Sequence, residues 1–268
     1  MEWDDFFGYE EYEGSADPKQ EEARDYLKDF FEENKEEVFF SRQIEVQNEA
    51  RFFHWITNRA LNELRSEGVI VGEERRLSWG GMITLYWHKS YRYYKRKAME
   101  VVNLVEEYSR PEISGSMGRH GELMVLDAFA RFEFLQVGRE TNKYSGRKWE
   151  RTNHNLDFIF RKDGIEYGVE VKNTLGYMDY EEFKIKREIC LFLNLRPIFV
   201  VRMMPKSWMK ELIDDGGYGM ILRFQLYPWT HRELARRVSS RFKLPVDAPR
   251  QIEDGTMSRF LKWHEKNV

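Results

Sequence analysis

The stretch GVEVKN at residues 168–173, with NLDFIF at 155–160 upstream of it, decides how this chain is read. In a β-strand, residues i and i+2 share a face. Val169 and Val171 would therefore enter a core, while Glu170 and Lys172 would point together to the other side. A strand with one face in water accounts for this alternation by itself. The acidic-x-Lys string is weak alone, occurring at Asp17–Lys19, Glu33–Lys35, Glu170–Lys172 and Glu182–Lys184. Three of these fall on an N-terminal tail or on expected helices, where i and i+2 do not face each other. Only Glu170–Lys172 lies on an expected strand, and only it has an aspartate, Asp157, at the start of the adjoining strand. Asp157 and Glu170 are therefore expected to converge at neighbouring strand ends.

Outward from this pair the elements come in a definite order. HGELMVLDAFARF reads as a helix, then RFEFLQVGRE, NLDFIFRK and EYGVEVKN as three strands, the last two joined around Asp163-Gly164. DYEEFKIKREICLFLNL is a helix, RPIFVVR an apolar strand, SWMKELIDD a helix and GMILRFQL a final strand. Antiparallel strands giving way to βαβ units predict an α/β (α+β) mixed sheet flanked by helices. THRELARRVSSRF and MSRFLKWHEK supply two further helices. RPEISGSMG, rich in Pro, Gly and Ser, is the expected domain boundary.

Before that boundary a helix is expected from Pro18, with Ala23, Leu27, Phe30 and Phe31 at helical spacing, and Ser41 suits the N-cap of a short second helix. A third fits Arg51 to about Glu67, striped by Phe53, Ile56, Ala60, Leu61 and Leu64 and ended by Gly68. VIV then begins a strand, and RRLSW-GG-MITLYW reads as a hairpin around Gly80 and Gly81. Three helices and a hairpin resemble a winged helix-turn-helix. Arg51, His54 and Asn58, opposite the stripe, would meet a DNA groove, and Arg75 and Arg76 would lie in the wing. HKSYRYYKRKAMEVVNLVEEYSR reads as a long helix with a basic, tyrosine-interleaved first half. The organisation expected is an acidic tail (1–17), a winged helix domain with connecting helix (18–110), a mixed-sheet domain (111–227) and a C-terminal helical extension (228–268).

The 268 residues carry a formal net charge of −3, with 41 % hydrophobic and 15 % aromatic residues. Residues 1–40 hold 15 acidic and 4 basic residues, whereas the remainder holds 31 and 39. A basic body with an acidic leader suits a nucleic-acid partner, with the tail binding a protein or the basic surface. No apolar run approaches the roughly 20 residues of a membrane span, and the acidic start lacks a signal peptide's basic residues, so a cytoplasmic location is expected. The single cysteine, Cys190, excludes an intramolecular disulfide and reads as a buried thiol. The histidines lack metal-ligand spacing, and no phosphate-binding P-loop is present.

The glycine-flanked Glu122 of RHGEL, Asp157 of LDFIF, and Glu170 and Lys172 of VEVK, in the order αβββαβ, resemble the PD-(D/E)XK, restriction endonuclease-like nuclease superfamily. Over about residues 115–203 the chain is similar to archaeal Holliday junction resolvases and restriction endonucleases. Leu156 stands where the family's name-giving proline would be. The resemblance implies Mg²⁺, with Mn²⁺ substituting, held by Asp157, Glu170 and the Val171 carbonyl. Glu122 would act through water or hold a second ion. Lys172 would orient or activate the attacking water. It further implies DNA as partner, 5′-phosphate and 3′-hydroxyl products, and a homodimer if the enzyme is a resolvase. Arg147, Lys148 and Arg151 in the loop before Asp157, with Lys184 after the motif strand, suit phosphate contact. The expected function is a metal-dependent DNA endonuclease. The alternatives are a structure-selective resolvase and an inactive DNA-binding regulator on the same fold.

Overall fold

The computed structural model describes residues 18–268; the expectations for the acidic tail lie outside them. The described chain forms two compact units, one of residues 18–114 with Arg237–Leu244, the other of Gly115–Arg236 with Pro245–Val268. No helix among the described residues is long and apolar enough to cross a membrane.

In the first unit α1 (Pro18–Glu33) packs Ala23, Leu27 and Phe31 against Ile56, Ala60, Leu61 and Leu64 of α3 (His54–Ser66). Between them come β1 (Phe39–Phe40) and α2 (Ser41–Asn48). β2 (Ile70–Arg76) and β3 (Met82–His88) form an antiparallel hairpin, and β1 joins it in the order β1-β3-β2. α4 (Lys95–Tyr108) follows. Gly68, at φ 69°, ends α3 and lets the Val69 N–H bond the Leu64 carbonyl at 3.0 Å.

Several boundaries differ from those expected, each for a local reason. α3 begins at His54 because the N–H groups of Arg51 and Phe52 both close onto the Asn48 carbonyl, making 49–53 a turn. Ser41 is the first residue of α2 and makes no side-chain cap; Phe40, held in β1 opposite Leu85, takes the N-cap position. The hairpin's first strand is β2 itself, and Leu77–Gly81 is its loop. Lys89, Tyr91 and Arg92 precede α4 in a turn, in which the Tyr91 N–H bonds the His88 carbonyl.

The stretch expected as the domain boundary does hold the division between the units, at Ser114 and Gly115, but from Pro111 onward it is helical, forming the start of α5 (Pro111–Arg131). Proline at a helix's first turn forfeits no hydrogen bond. Met117 is buried, and its carbonyl accepts from the Asn173 side chain at 2.8 Å, so tertiary contacts outweigh the glycines at 115 and 118.

In the second unit β4 (Leu135–Thr141), a small hairpin of β5 (Lys143–Tyr144) and β6 (Arg147–Lys148), β7 (Leu156–Lys162) and β8 (Ile165–Lys172) follow. Then come α6 (Tyr180–Phe192), β9 (Arg196–Val201), α7 (Lys206–Asp214), β10 (Tyr218–Ile221) and β11 (Gln225–Leu226). α8 (Arg232–Phe242), β12 (Val246–Asp247) and α9 (Asp254–Lys266) complete the chain. The segment expected as one final strand is thus two, broken at Leu222–Phe224, with β11 pairing β12 in a separate sheet.

The main sheet runs β10-β9-β8-β7-β4, antiparallel from β4 to β8 and parallel from β8 to β10. It is a mixed sheet in an α/β architecture. Asp163 and Gly164, with φ of 50° and 75°, make the tight turn between β7 and β8. On one face Phe158, Phe160, Tyr167, Val169, Ile198 and Val200 pack with Val125, Ala128 and Phe129 of α5 and with Phe260 of α9. On the other, Ile159 meets Ile189 and Cys190 of α6, and Phe199 meets Phe183 of α6 and Leu212 of α7. Helices on both faces explain why β9 is apolar from Pro197 to Val201. They also mean that β8 has no face in open water. Cys190 is buried, and burial pushes its thiol pKa up.

Candidate active site

The paired register of β7 and β8 ends at Phe158↔Val169. One residue further along, the Asp157 carboxylate takes the place of a ladder carbonyl and accepts the Val171 N–H at 2.7 Å. The two strands therefore part at this end, with Asp157 and Glu170 on either side of the opening. Val169 is fully buried in the core shared with α5, and Val171 packs against that core, as the alternation requires.

Glu170 and Lys172 point the other way, toward α6 and not into solvent. Lys186 donates to Glu170 Oε2 at 2.7 Å and to the Asn155 carbonyl at 2.5 Å. Lys172 donates to Glu182 Oε2 at 2.8 Å. The Glu-x-Lys pair of the strand thus faces a Glu-x-x-x-Lys pair of the helix with charges crossed. Residues i and i+4 share a helical face, which is why Glu182 and Lys186 can both reach β8. The helix is anchored by Asp179, whose carboxylate caps it by accepting the Glu182 N–H at 2.9 Å. Glu170 is 4 % exposed and Lys186 7 %, whereas the Lys172 side chain keeps a third of its exposure.

Glu122, on α5, comes close enough to Asp157 to feel its charge. The preceding glycine makes this approach possible: a Cβ on Gly121 would stand 2.8 Å from the Cβ of Asn173. Asn173 is itself fixed, donating to the Met117 and Leu226 carbonyls and accepting the Leu226 N–H at 2.7 Å. The glycine of RHGEL is therefore a contact point between α5 and the end of β8.

All three carboxyl groups hold their protons more tightly than usual. Burial is the chief cause for Glu170, pushed up to about 8, and the Asp157 charge adds to it; Lys186 only partly offsets them. Burial also raises Asp157, against the lowering effects of the Val171 N–H and Lys186. Glu122 is raised by burial and then by Asp157. Desolvated carboxylates crowded together in this way attract a cation.

The other expected phosphate contacts lie on the surface of this unit, each already engaged. Arg147 donates to the Phe192 carbonyl, Lys148 pairs with Glu150, Arg151 with Glu188 and Lys184 with Glu181. Phe192 lies ten residues along α6 from Glu182, roughly 15 Å at 1.5 Å per residue. Arg147 is therefore beside the far end of that helix.

In the first unit one expectation is overturned. His54 is buried, with Arg42 at 3.1 Å from its Nδ1 and Glu49 at 3.5 Å from its Nε2, so it faces α2 and not a groove. Arg51 is exposed in the turn before α3, its guanidinium over the Tyr26 ring, and Asn58 is half-buried beside Asn62. Arg75 and Arg76 are exposed on β2, with Arg75 paired to Glu73. The outward stripe of α3 is Trp55, Asn58, Arg59 and Asn62.

Lys186, Glu182, Trp55, Arg59 and Asn62 are the residues that sequence reasoning missed. For Lys186 a signal was present: it shares helical spacing with Phe183, Ile189 and Cys190, so a lysine stands inside an apolar stripe. Together with Asn58 the α3 residues recur at i, i+3, i+4 and i+7, a solvent-facing stripe of one tryptophan and three polar residues.

No family model matches this sequence, and no curated protein matches it. A solved structure described as an EndoMS-dsDNA2 complex is similar at 17 % identity with a TM-score of 0.24, covering 57 % of this chain and 60 % of that one. The chain thus spans less than two thirds of that protein's length, and the score is too low to establish a shared fold.

Proposed function

We propose that this protein is a metal-dependent DNA endonuclease. The observation that carries the reading is the placement of Asp157 and Glu170 side by side where the paired register of β7 and β8 ends, with Glu122 near enough to Asp157 to feel its charge and Lys172 on the same strand as Glu170. The reading joins the sequence resemblance to this geometry: a restriction endonuclease-like core supplies hydrolysis, and the first unit acts as a winged helix that selects DNA. On that reading the stripe Trp55, Asn58, Arg59 and Asn62 meets the groove. Asparagine and arginine are the side chains that bond adenine and guanine edges bidentately.

The donor set fits Mg²⁺ or Mn²⁺. Carboxylate oxygens whose charges repel one another suit a hard divalent ion, and Mg²⁺ is commonly held by one or two carboxylates, with water completing its shell. Among the described residues no three His, Cys, Asp or Glu side chains stand close enough to enclose an ion. Asp157 and Glu170 would hold it, with the Val171 carbonyl beside them and Glu122 acting through water. Once bound, the ion would neutralise charge on the phosphate. The chain's own contribution is positional. Asp157 is oriented by the Val171 N–H, and Lys172, steadied by Glu182, presents an ammonium group for the attacking water and the developing phosphate charge.

The test is incubation of the purified protein with linear, single-stranded and branched DNA in Mg²⁺, Mn²⁺ or EDTA, beside Asp157→Asn. Cleavage in either metal, absent in EDTA and in the variant, is expected. Preference for branched DNA would mark a structure-selective resolvase. DNA binding without cleavage in any metal would identify a non-catalytic regulator.

A further inference from the structure

We propose that Lys186 is the resident counter-ion of this site: it occupies the Glu170 oxygen that a divalent cation needs and must release it for the cation to bind. The inference rests on the metal-site reading above and concerns a residue outside the Glu-x-Lys motif. Lysine is almost never fully buried unless paired. Lys186 is 7 % exposed, and both of its hydrogen bonds go to the site. One is to Glu170 Oε2 at 2.7 Å, the other to the carbonyl of Asn155, two residues before Asp157. Its ammonium group therefore bridges the segments that bring Asp157 and Glu170 together. Lys172 does not share this task, because its own bond goes to Glu182.

Metal binding is then an exchange of cations. The ammonium leaves Glu170 while the Asn155 carbonyl remains as its anchor, so Lys186 stays near the ion and opposes it. Removing that positive charge should strengthen metal binding. Competition from protons does not reverse the sign, since a divalent ion gains twice what a proton gains when a neighbouring unit charge is deleted.

The experiment is calorimetric Mn²⁺ titration at one fixed pH, with melting temperature in EDTA and in Mn²⁺, on the full chain. Lys186→Met should bind Mn²⁺ at least about tenfold more tightly, equivalent to ~1.4 kcal/mol. Its melting temperature, depressed in EDTA because Glu170 has lost its partner, should recover more in Mn²⁺ than the unmodified protein gains. Lys186→Gln, which keeps a donor for the Asn155 carbonyl and serves if the methionine variant does not fold, should tighten binding in the same direction. Lys186→Arg, which keeps the charge, should not. Unchanged or weaker Mn²⁺ affinity in Lys186→Gln overturns the proposal. Asp157→Asn and Glu170→Gln separate the two levels: if both bind Mn²⁺ normally, the metal-site reading itself fails. If they lose the ion while the Lys186 variants bind it no more tightly, only the role of Lys186 fails.

Discussion

At the scale of single residues, Glu170 is held where water is scarce and another carboxylate is near. Its folded-state pKa lies near 8, against an ordinary value of 4.5. Between those values the folded state binds more protons than the unfolded state, so stability falls as pH rises. In EDTA, urea unfolding should therefore show declining stability from about pH 4.5 to pH 8. Glu170→Gln should flatten that decline without removing it, since Asp157 and Glu122 shift the same way. An identical slope in the variant would show that Glu170 ionises freely. In the cleavage assay Glu170→Gln should lose activity by roughly 10²-fold or more, the scale seen when one electrostatic contact is deleted from an active site. DNA affinity should be equal or higher, because Glu170 is buried and makes no contact that binding would lose, and above about pH 8 the change removes a negative charge. Full activity in this variant would remove Glu170 from the site.

At the scale of elements, the position of Glu122 depends on how closely α5 can approach Asn173, and Gly121 sets that distance. Gly121→Ala should force the helix or the asparagine aside, costing about 1–3 kcal/mol as overpacking does. Activity should fall more than that of Gly118→Ala, where an added Cβ meets nothing within 4 Å. Equal effects of the two changes, by urea unfolding and cleavage rate, would separate Glu122 from this contact. The same elements show what was legible beforehand. The β7–β8 hairpin was, because apolar alternation and Asp163-Gly164 agree on strand, turn and strand, and this placed Asp157 beside Glu170. The crossed ion pairs with α6 were not. The apolar stripe of α6 marks Lys186 as facing inward, but only the packing of α6 on β8 decides that it meets Glu170. The start of α5 was illegible for the converse reason. Its glycines oppose a helix locally, and the Asn173 bond to Met117 that favours it comes from 56 residues away. The burial of His54 was illegible because a face opposite an apolar stripe is ordinarily solvated, whereas here Arg42 of α2 and Glu49 at its end cover it.

At the scale of the whole chain, the charge is divided and so is the connectivity. Residues 1–17 contain seven acidic and no basic residues, ahead of a body that is net basic. If this leader competes with DNA, deleting it should raise DNA affinity, more at low salt than at high. Equal affinity at low salt would leave it a protein-binding or inert segment. Separating the two units by truncation is less clean. Residues Arg237–Leu244 belong to the first unit, where Phe242 packs edge-on against Phe40 at 4.9 Å. A fragment starting at Pro111 would expose that segment, so substitution within the full chain is the sounder test of DNA selection. Arg59→Ala and Asn62→Ala remove side chains that would read base edges. Each should cost about 1–3 kcal/mol on preferred DNA and little on other sequences, relaxing selection. Arg75→Ala and Arg76→Ala remove charge from an exposed strand suited to phosphate contact. Binding to every sequence should weaken, and each lost phosphate contact should lower the slope of log affinity against log salt by about 1. The comparison is the distribution of bound and cleaved sites on a mixed DNA pool at several salt concentrations. If all four variants keep the original site distribution and salt slope, the first unit does not read DNA, and its exposed Trp55 stripe belongs to a protein contact.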